Sequence, residues 1–144
     1  MKRVGEFEVL TKYIDRLDGD RIGEFKGGLM EDNTITMPFA LYSCMVHSFV
    51  EELLDFCEKH PEYQHHSYYD VLRENGLKWD AESMENADVS DLDAKCIVCL
   101  LIGSVRADRF CEGARYHFFE NGCIKTWLSR LSEIDNKQRL KSEN

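Results

Sequence analysis

DVSDLDAKCIVCLLIGSVRADRFCEGARYHFFENG, residues 88–122, is the stretch that decides the fold of this protein. Ser90 and Asp93 have the spacing of a capping box, with aspartate in place of the usual glutamate, and predict the start of a helix. Apolar side chains over residues 92–105 then cover nearly the whole circumference of that helix. A helix that is apolar all round belongs in the interior of a domain. The sequence therefore predicts a central buried helix, over about residues 91–105, that the other elements surround.

The elements predicted on either side of this helix are short and mostly helical. Amphipathic periodicity and capping signals predict helices over about residues 6–18, 44–59, 68–75, 110–119 and 123–134. The fourth of these has a break near Gly113. Two runs rich in β-branched and aromatic residues, 21–26 and 34–39, predict a β-hairpin. The predicted fold is mainly α: a compact single domain over residues 1–135 with a small N-terminal hairpin, followed by a polar tail over 136–144.

The charge of the chain is unevenly distributed. The 144 residues carry a net charge of −9, and residues 51–93 alone hold 13 acidic against 3 basic side chains. Such a surface disfavours direct binding to nucleic acid or to an anionic membrane, because phosphates are bound through lysine and arginine. Two interpretations stay open. The segment is either a solvated acidic face or an acidic surface that mimics a nucleic acid or binds a basic partner.

The N-terminal segment and the cysteines predict a cytoplasmic protein without a membrane anchor. Glu6 and Glu8 lie where a signal peptide needs an apolar core, and the longest apolar run, residues 96–102, is far too short to span a bilayer. The six cysteines are therefore expected to be reduced thiols. Cys96 and Cys99 form a C-x-x-C inside the apolar helix, which favours core positions over a zinc or redox site.

The histidines give no clear metal or cofactor site, and none is expected. Residues 60–67, HPEYQHHS, hold three of the five histidines. His65 and His66 are adjacent, so on an extended segment they point in opposite directions and chelate poorly. His47 lies beside the apolar stripe of the helix over 44–59, where a partly buried, hydrogen-bonded histidine is expected.

Residues 106–115, RADRFCEGAR, interleave arginine and acidic side chains and contain the main candidate site. On a continuing helix, residues three and four apart, such as Arg106 and Arg109 or Asp108 and Glu112, share one side. These charges directly follow a buried helix, and charges taken out of water must be paired. One interpretation is therefore an internal ion-pair network that ties helices together.

The other interpretation is a ligand site on the same segment. A guanidinium group can donate two parallel hydrogen bonds to a phosphate or a carboxylate. Arg106 and Arg109 would therefore bind a ligand that carries one of these groups. Glu112, together with His117 or His47, would then supply acid–base chemistry. The sequence contains no phosphate-binding loop, H-E-x-x-H or G-x-S-x-G motif that would strengthen an enzymatic interpretation.

Several separate segments, in order along the chain, resemble one family. They are MPFALYS (37–43), MVHSF (45–49), GLKW (76–79), ADVSDLDAKC (87–96), VRADRFCEGA (105–114) and FFENGCIKTWLSRLSEID (118–135). Together they are similar to an uncharacterised bacterial family carried as a domain of unknown function, over roughly residues 35–135. The resemblance implies a single cytoplasmic bacterial domain, and no catalytic residue is transferred because the family has no established activity. Polar positions in these segments are the candidate ligand-binding residues: Arg106, Arg109, Glu112, Asp93 and His47.

The leading functional hypothesis is a non-enzymatic, cytoplasmic protein-binding or regulatory module, with a homodimer as one expected form. Its acidic surface favours a protein partner, including one that binds nucleic acid and would be inhibited. The alternative hypothesis is a small enzyme or ligand sensor that uses Arg106, Arg109 and Glu112. A pocket that holds these three residues, with one of them unpaired, would favour the alternative. Complete pairing among them would favour the module.

Overall fold

The computed structural model describes residues 5–29, 35–63, 65–109 and 113–143, which form helices and one antiparallel hairpin. This confirms the predicted class, mainly α with a small N-terminal hairpin. In chain order the elements are α1 (Glu8–Thr11), α2 (Ile14–Gly19), β1 (Gly23–Leu29), β2 (Ile35–Tyr42), α3 (Cys44–Lys59), α4 (Tyr68–Glu74), α5 (Ala81–Glu85), α6 (Ala94–Arg106), α7 (Ala114–Glu120) and α8 (Cys123–Glu143). Short 3-10 helices lie between them, over Pro61–Tyr63, His65–Ser67, Val89–Asp91 and Ala107–Arg109.

Helix α6 lies at the centre of the fold, as its apolar circumference predicted. All ten residues from 96 to 105 are buried, and α3, α4, α7 and α8 pack around them. Complete burial of a side chain such as leucine contributes roughly 1.5–3 kcal/mol. Each surrounding helix adds its own buried side chains to the same core, among them Phe49 of α3, Leu72 of α4, Phe118 of α7 and Leu128 of α8.

The start of α6 differs from the prediction. Asp93 is the N-cap, and its Oδ1 accepts a hydrogen bond from the Cys96 backbone N–H at 2.9 Å. Ser90 lies in the preceding 3-10 helix, where its N–H and its hydroxyl donate to Asp88 Oδ1 at 3.1 and 2.7 Å. The predicted cap at Ser90 is therefore wrong, because Asp88 already engages that residue. Asp93, one of the candidate ligand-binding residues, has a structural role in α6.

The hairpin places Tyr42 next to the core. Gly23 pairs with Tyr42 at the base of the hairpin, and the register shifts midway along it, near Pro38, whose nitrogen cannot donate to the ladder. Gly23 has a φ of 155°, and a Cβ at this position would collide with the Leu41 carbonyl oxygen. Glycine, which has no side chain, is thus required at position 23, opposite Tyr42.

The helices at the two ends of the chain also differ from those predicted. The helix expected over residues 6–18 is divided into α1 and α2 at Tyr13, whose N–H donates to the Leu10 carbonyl in a tighter, three-residue turn. The last helix continues to Glu143, so the predicted polar tail over 136–144 is helical up to that residue. Its lysine, arginine, glutamine and leucine residues favour a helix, and neither glycine nor proline interrupts them. Neither α8 nor any other helix of the described residues has the length and apolar character needed to cross a lipid bilayer.

Removal of the α6 cap should lower stability more than removal of the Ser90 hydroxyl. We expect Asp93→Ala to lower the free energy of unfolding by about 1 kcal/mol, because the Cys96 N–H loses its acceptor. Ser90→Ala is the matched control, and it should change this free energy by less than about 0.5 kcal/mol. Urea unfolding followed by circular dichroism measures both values. A larger loss in Ser90→Ala than in Asp93→Ala would contradict the assignment of the cap.

Candidate functional site at the junction of α6 and α7

The turn between α6 and α7 forms the candidate site. The chain leaves α6 through the 3-10 helix Ala107–Arg109, and Gly113 then precedes α7 with a φ of 86°. Glycine adopts this left-handed conformation at little cost, and the helix break predicted near Gly113 is confirmed. Helix α7 packs back against α6. Glu112, a candidate ligand-binding residue, lies outside the described residues.

Asp108 is the centre of a polar cluster that also contains Tyr42, Arg115 and Tyr116, hereafter the Asp108 cluster. Asp108 Oδ2 accepts a hydrogen bond from the Tyr42 hydroxyl at 2.6 Å, and Oδ1 accepts one from the Arg115 backbone N–H at 2.8 Å. The Tyr42 oxygen in turn accepts a hydrogen bond from the Tyr116 N–H at 3.1 Å. Because the Asp108 side chain is only 16% exposed, these bonds join the hairpin to α7 in a largely desolvated place.

Arg115 caps the C-terminal end of α6. Its Nε and Nη2 donate to the Val105 carbonyl oxygen at 3.1 and 2.8 Å. This carbonyl belongs to the last turn, where helical partners are missing, and a cation there also complements the helix dipole. The same guanidinium lies 5.1 Å from the centre of the Tyr42 ring, and its Nε lies 3.9 Å from Asp108 Oδ2. Arg115 is thus occupied by structural contacts.

The two arginines predicted to bind a ligand contribute no hydrogen bond or ion pair to the Asp108 cluster within the described residues. Arg106 Nε is buried and has no hydrogen-bond partner in this part of the chain, and its guanidinium lies 5.9 Å from the centre of the Tyr68 ring. Arg109 is exposed to solvent. Among the charges of this segment that the structure describes, Asp108 and Arg115 form an ion pair, because the turn before α7 brings them together.

The predicted acid–base arrangement pairs Glu112, which lies outside the described residues, with His117 or His47, and it stays a prediction. His47 is exposed on α3, with its ring 6.4 Å from the Tyr42 ring, so the prediction of a partly buried histidine is wrong. Its position lies beside the buried stripe and faces solvent. His117 Nε2 lies 2.6 Å from Glu85 Oε2 of α5, and Asn121 Nδ2 donates to the same oxygen at 3.1 Å. Among the described residues, His117 therefore has Glu85 as a carboxylate partner, 32 positions earlier in the chain.

The C-x-x-C cysteines occupy core positions, as the apolar helix predicted. Cys57, Cys96 and Cys99 have no exposed surface. Burial raises the pKa of Cys96 to about 11 and the pKa values of Cys57 and Cys99 to about 12. All three are therefore protonated thiols at neutral pH, and the Cys99 thiol donates to the Tyr63 carbonyl at 3.4 Å.

A family model described as a family of unknown function, DUF6508, matches residues 5–137 of the chain. The chain belongs to this family. The match confirms the resemblance to a domain of unknown function and extends it from residue 35 towards the N-terminus. No curated protein and no solved structure matches the chain. For this DUF6508 protein, function must therefore be inferred from the arrangement of its own residues.

Sequence reasoning missed residues that organise the site of this DUF6508 protein. Tyr42 and Glu85 were not among the candidates, because each reaches its partner across 32 or more positions of the chain. The sequence did offer one signal for Tyr42, because this residue lies in MPFALYS, one of the segments that resemble the family. One further group, Glu6, His60 and Glu62, offers three potential metal-ligand atoms within 4.8 Å of one another.

Removal of the Tyr42 hydroxyl should destabilise the protein. We expect Tyr42→Phe to lower the free energy of unfolding by about 1–3 kcal/mol, because Asp108 loses a donor and the Tyr116 N–H loses its acceptor in a largely buried place. Tyr69→Phe, on a ring that is 54% exposed, is the matched control and should change stability little. Urea unfolding measures both variants. Equal stability of Tyr42→Phe and the wild type would contradict the role of the Asp108 cluster.

The difference in stability between the wild type and Tyr42→Phe should also depend on pH. Burial and donation to Asp108 raise the pKa of Tyr42 above its ordinary value of 10. A group with a raised pKa contributes stability that is present below the unfolded pKa and is lost as the pH rises above it. The stability difference between wild type and Tyr42→Phe should therefore be constant up to about pH 9 and shrink above pH 10.

Proposed function

We propose that this protein is a non-enzymatic, cytoplasmic protein-binding or regulatory module that acts through its acidic surface. Of the 13 acidic side chains in residues 51–93, 12 are exposed and Glu52 is partly buried. The 3 basic side chains of the segment are exposed as well. Two of them, Lys59 and Arg73, pair with acidic residues about one turn away on their own helices. The strongly negative surface that results is the observation that carries the proposal.

Helix α3 carries a dense part of this surface. Glu51, Asp55 and Glu58 lie four and three residues apart, so they share one side of the helix, and all three are exposed. The buried stripe of the same helix, which includes Phe49 and Leu53, faces the core. The three acidic residues form the α3 acidic face, and they are presented by a helix that the core holds in place.

A basic protein surface is the partner that fits the α3 acidic face. Charge complementarity accelerates the encounter and favours the correct partner over others. Where the basic surface normally contacts nucleic acid, the bound module would cover it, and inhibition would follow. A homodimer belongs to the proposal, because two copies would present the face twice and raise the avidity for an extended basic partner. The same charge disfavours direct binding of the module to nucleic acid.

A small enzyme or ligand sensor is the second candidate function. Its support is the buried Arg106 Nε, which has no hydrogen-bond partner among the described residues and would gain one from a phosphate or carboxylate. Arg109, however, faces solvent, and Glu112 lies outside the described residues. Protein binding is therefore the better supported function.

Neutralisation of the α3 acidic face should weaken partner binding. We expect the triple variant Glu51→Gln, Asp55→Asn, Glu58→Gln to retain about tenfold less basic protein from a host lysate than the wild type, because the contact surface loses three charges. Retention by the wild type should also fall as the salt concentration approaches about 1 M, where the Debye length is about 3 Å. Quantitative affinity capture with mass spectrometry measures both effects.

A matched control removes the same charge from other parts of the surface. The variant Asp15→Asn, Glu120→Gln, Glu133→Gln changes exposed acidic residues of α2, α7 and α8 and should retain the partner as the wild type does. Equal retention by the wild type and the α3 variant would contradict the proposal. So would a wild-type protein that retains nucleic acid in place of a basic protein.

A further inference from the structure

Three potential metal ligands from separate parts of the chain meet at the C-terminal end of α3. Glu6 precedes α1, His60 is the C-cap of α3, and Glu62 lies in the following 3-10 helix. His60 Nδ1 lies 3.2 Å from Glu62 Oε1 and 3.8 Å from Glu6 Oε1. All three ligand atoms lie within 4.8 Å of one another. These residues form the Glu6–His60–Glu62 cluster.

The separations within the cluster fit one divalent ion. Nitrogen and oxygen ligands lie about 2.0–2.2 Å from Zn²⁺ in proteins, so two neighbouring ligands of a tetrahedral ion are about 3.4 Å apart. The distances of 3.2 and 3.8 Å from His60 Nδ1 lie on either side of that value. Rotation of the two glutamate side chains, both of which are exposed, would bring their carboxylates to these ligand distances.

Aromatic packing holds the cluster in place. The His60 ring lies on Phe56, with ring centroids 4.4 Å apart and planes inclined by 31°, and Phe56 is 4% exposed. Tyr63 stacks on the same phenylalanine at 5.5 Å. The Tyr63 hydroxyl then donates to Glu6 Oε1 at 2.7 Å. In metal sites, hydrogen bonds of this kind orient the carboxylate ligands.

The cluster also brings two carboxylates together around one imidazole. In the described part of the chain, neither Glu6 nor Glu62 forms an ion pair with a lysine or an arginine. A third carboxylate, Asp135, is held next to Glu6 by the Phe7 backbone N–H, which donates to it at 3.0 Å. Carboxylates that converge in this way repel one another, and a bound cation removes the repulsion.

We propose that the Glu6–His60–Glu62 cluster binds a divalent first-row transition-metal ion, with Zn²⁺ as the best fit. One imidazole nitrogen and two carboxylate oxygens match the ligands of such ions, and water completes the coordination. Binding uses the tautomer of His60 in which Nδ1 carries no proton. The ion ties the segment before α1 to the end of α3 and so fixes the N-terminal part of the fold. This site is independent of the function proposed for the α3 acidic face.

Titration of the full-length, EDTA-treated protein with Zn²⁺ tests the site. We expect one ion per chain by calorimetry and an increase in Tm of about 5 °C or more at saturation, because the ligands are assembled only in the folded state. Glu6→Gln and His60→Gln should each weaken Zn²⁺ binding about tenfold or more. His66→Gln is the matched control, since the His66 side chain is 74% exposed and lies outside the cluster, and its affinity should equal that of the wild type.

Two further measurements distinguish the proposed site from metal binding at the cysteines and from general charge screening. Co²⁺ bound by the cluster should show the weak visible absorption of nitrogen and oxygen ligands, whereas intense thiolate absorption would place the ion at the cysteines and overturn the proposal. Mg²⁺ at the same concentration should leave the Tm unchanged. Equal stabilisation by Mg²⁺ would overturn the proposal, because general screening of the acidic surface would then explain the effect of Zn²⁺. Unchanged Zn²⁺ affinity in a folded Glu6→Gln variant would also overturn the proposed metal site.

Discussion

Ten consecutive residues of α6 are removed from solvent, so every helix that touches α6 must present an apolar side to it. The two ends of α6 need polar partners, because the backbone groups of terminal turns have none within the helix. Asp93 supplies the partner at the N-terminal end, and Arg115 supplies it at the C-terminal end through the Val105 carbonyl. The burial of one helix thereby determines the positions of its neighbours and the structural use of two charged residues.

The same constraint separates the charged residues by role. Near the C-terminal end of α6, Asp108 and Arg115 are partly buried and make structural contacts within the Asp108 cluster. On α3, Glu51, Asp55 and Glu58 are exposed, whereas the buried stripe of the helix faces the core. The exposed side of α3 is therefore acidic, whereas Arg115, at the end of α6, stabilises the fold.

Local signals in the sequence predicted the fold well. The all-round apolar pattern predicted the burial of α6. Periodicity and capping signals predicted α3, whose N-cap Ser43 accepts a hydrogen bond from the Val46 N–H. The contacts of the candidate site were not predictable, because they join residues far apart in the chain. Asp108 meets Tyr42 across 66 positions, and Glu6 meets His60 through the folded aromatic packing. Helical spacing did not predict the ion pair of Asp108 and Arg115, which forms across the break at Gly113.

Hydrogen–deuterium exchange of the native protein tests the central position of α6 most directly. Buried helices that unfold only with the whole domain exchange at the rate of global unfolding, whereas peripheral helices exchange through local openings. The amides of residues 97–102 should therefore be the slowest to exchange among the described helices, with a free energy of exchange equal to that of global unfolding. Exchange of these amides as fast as those of α4 or the end of α8 would contradict the account.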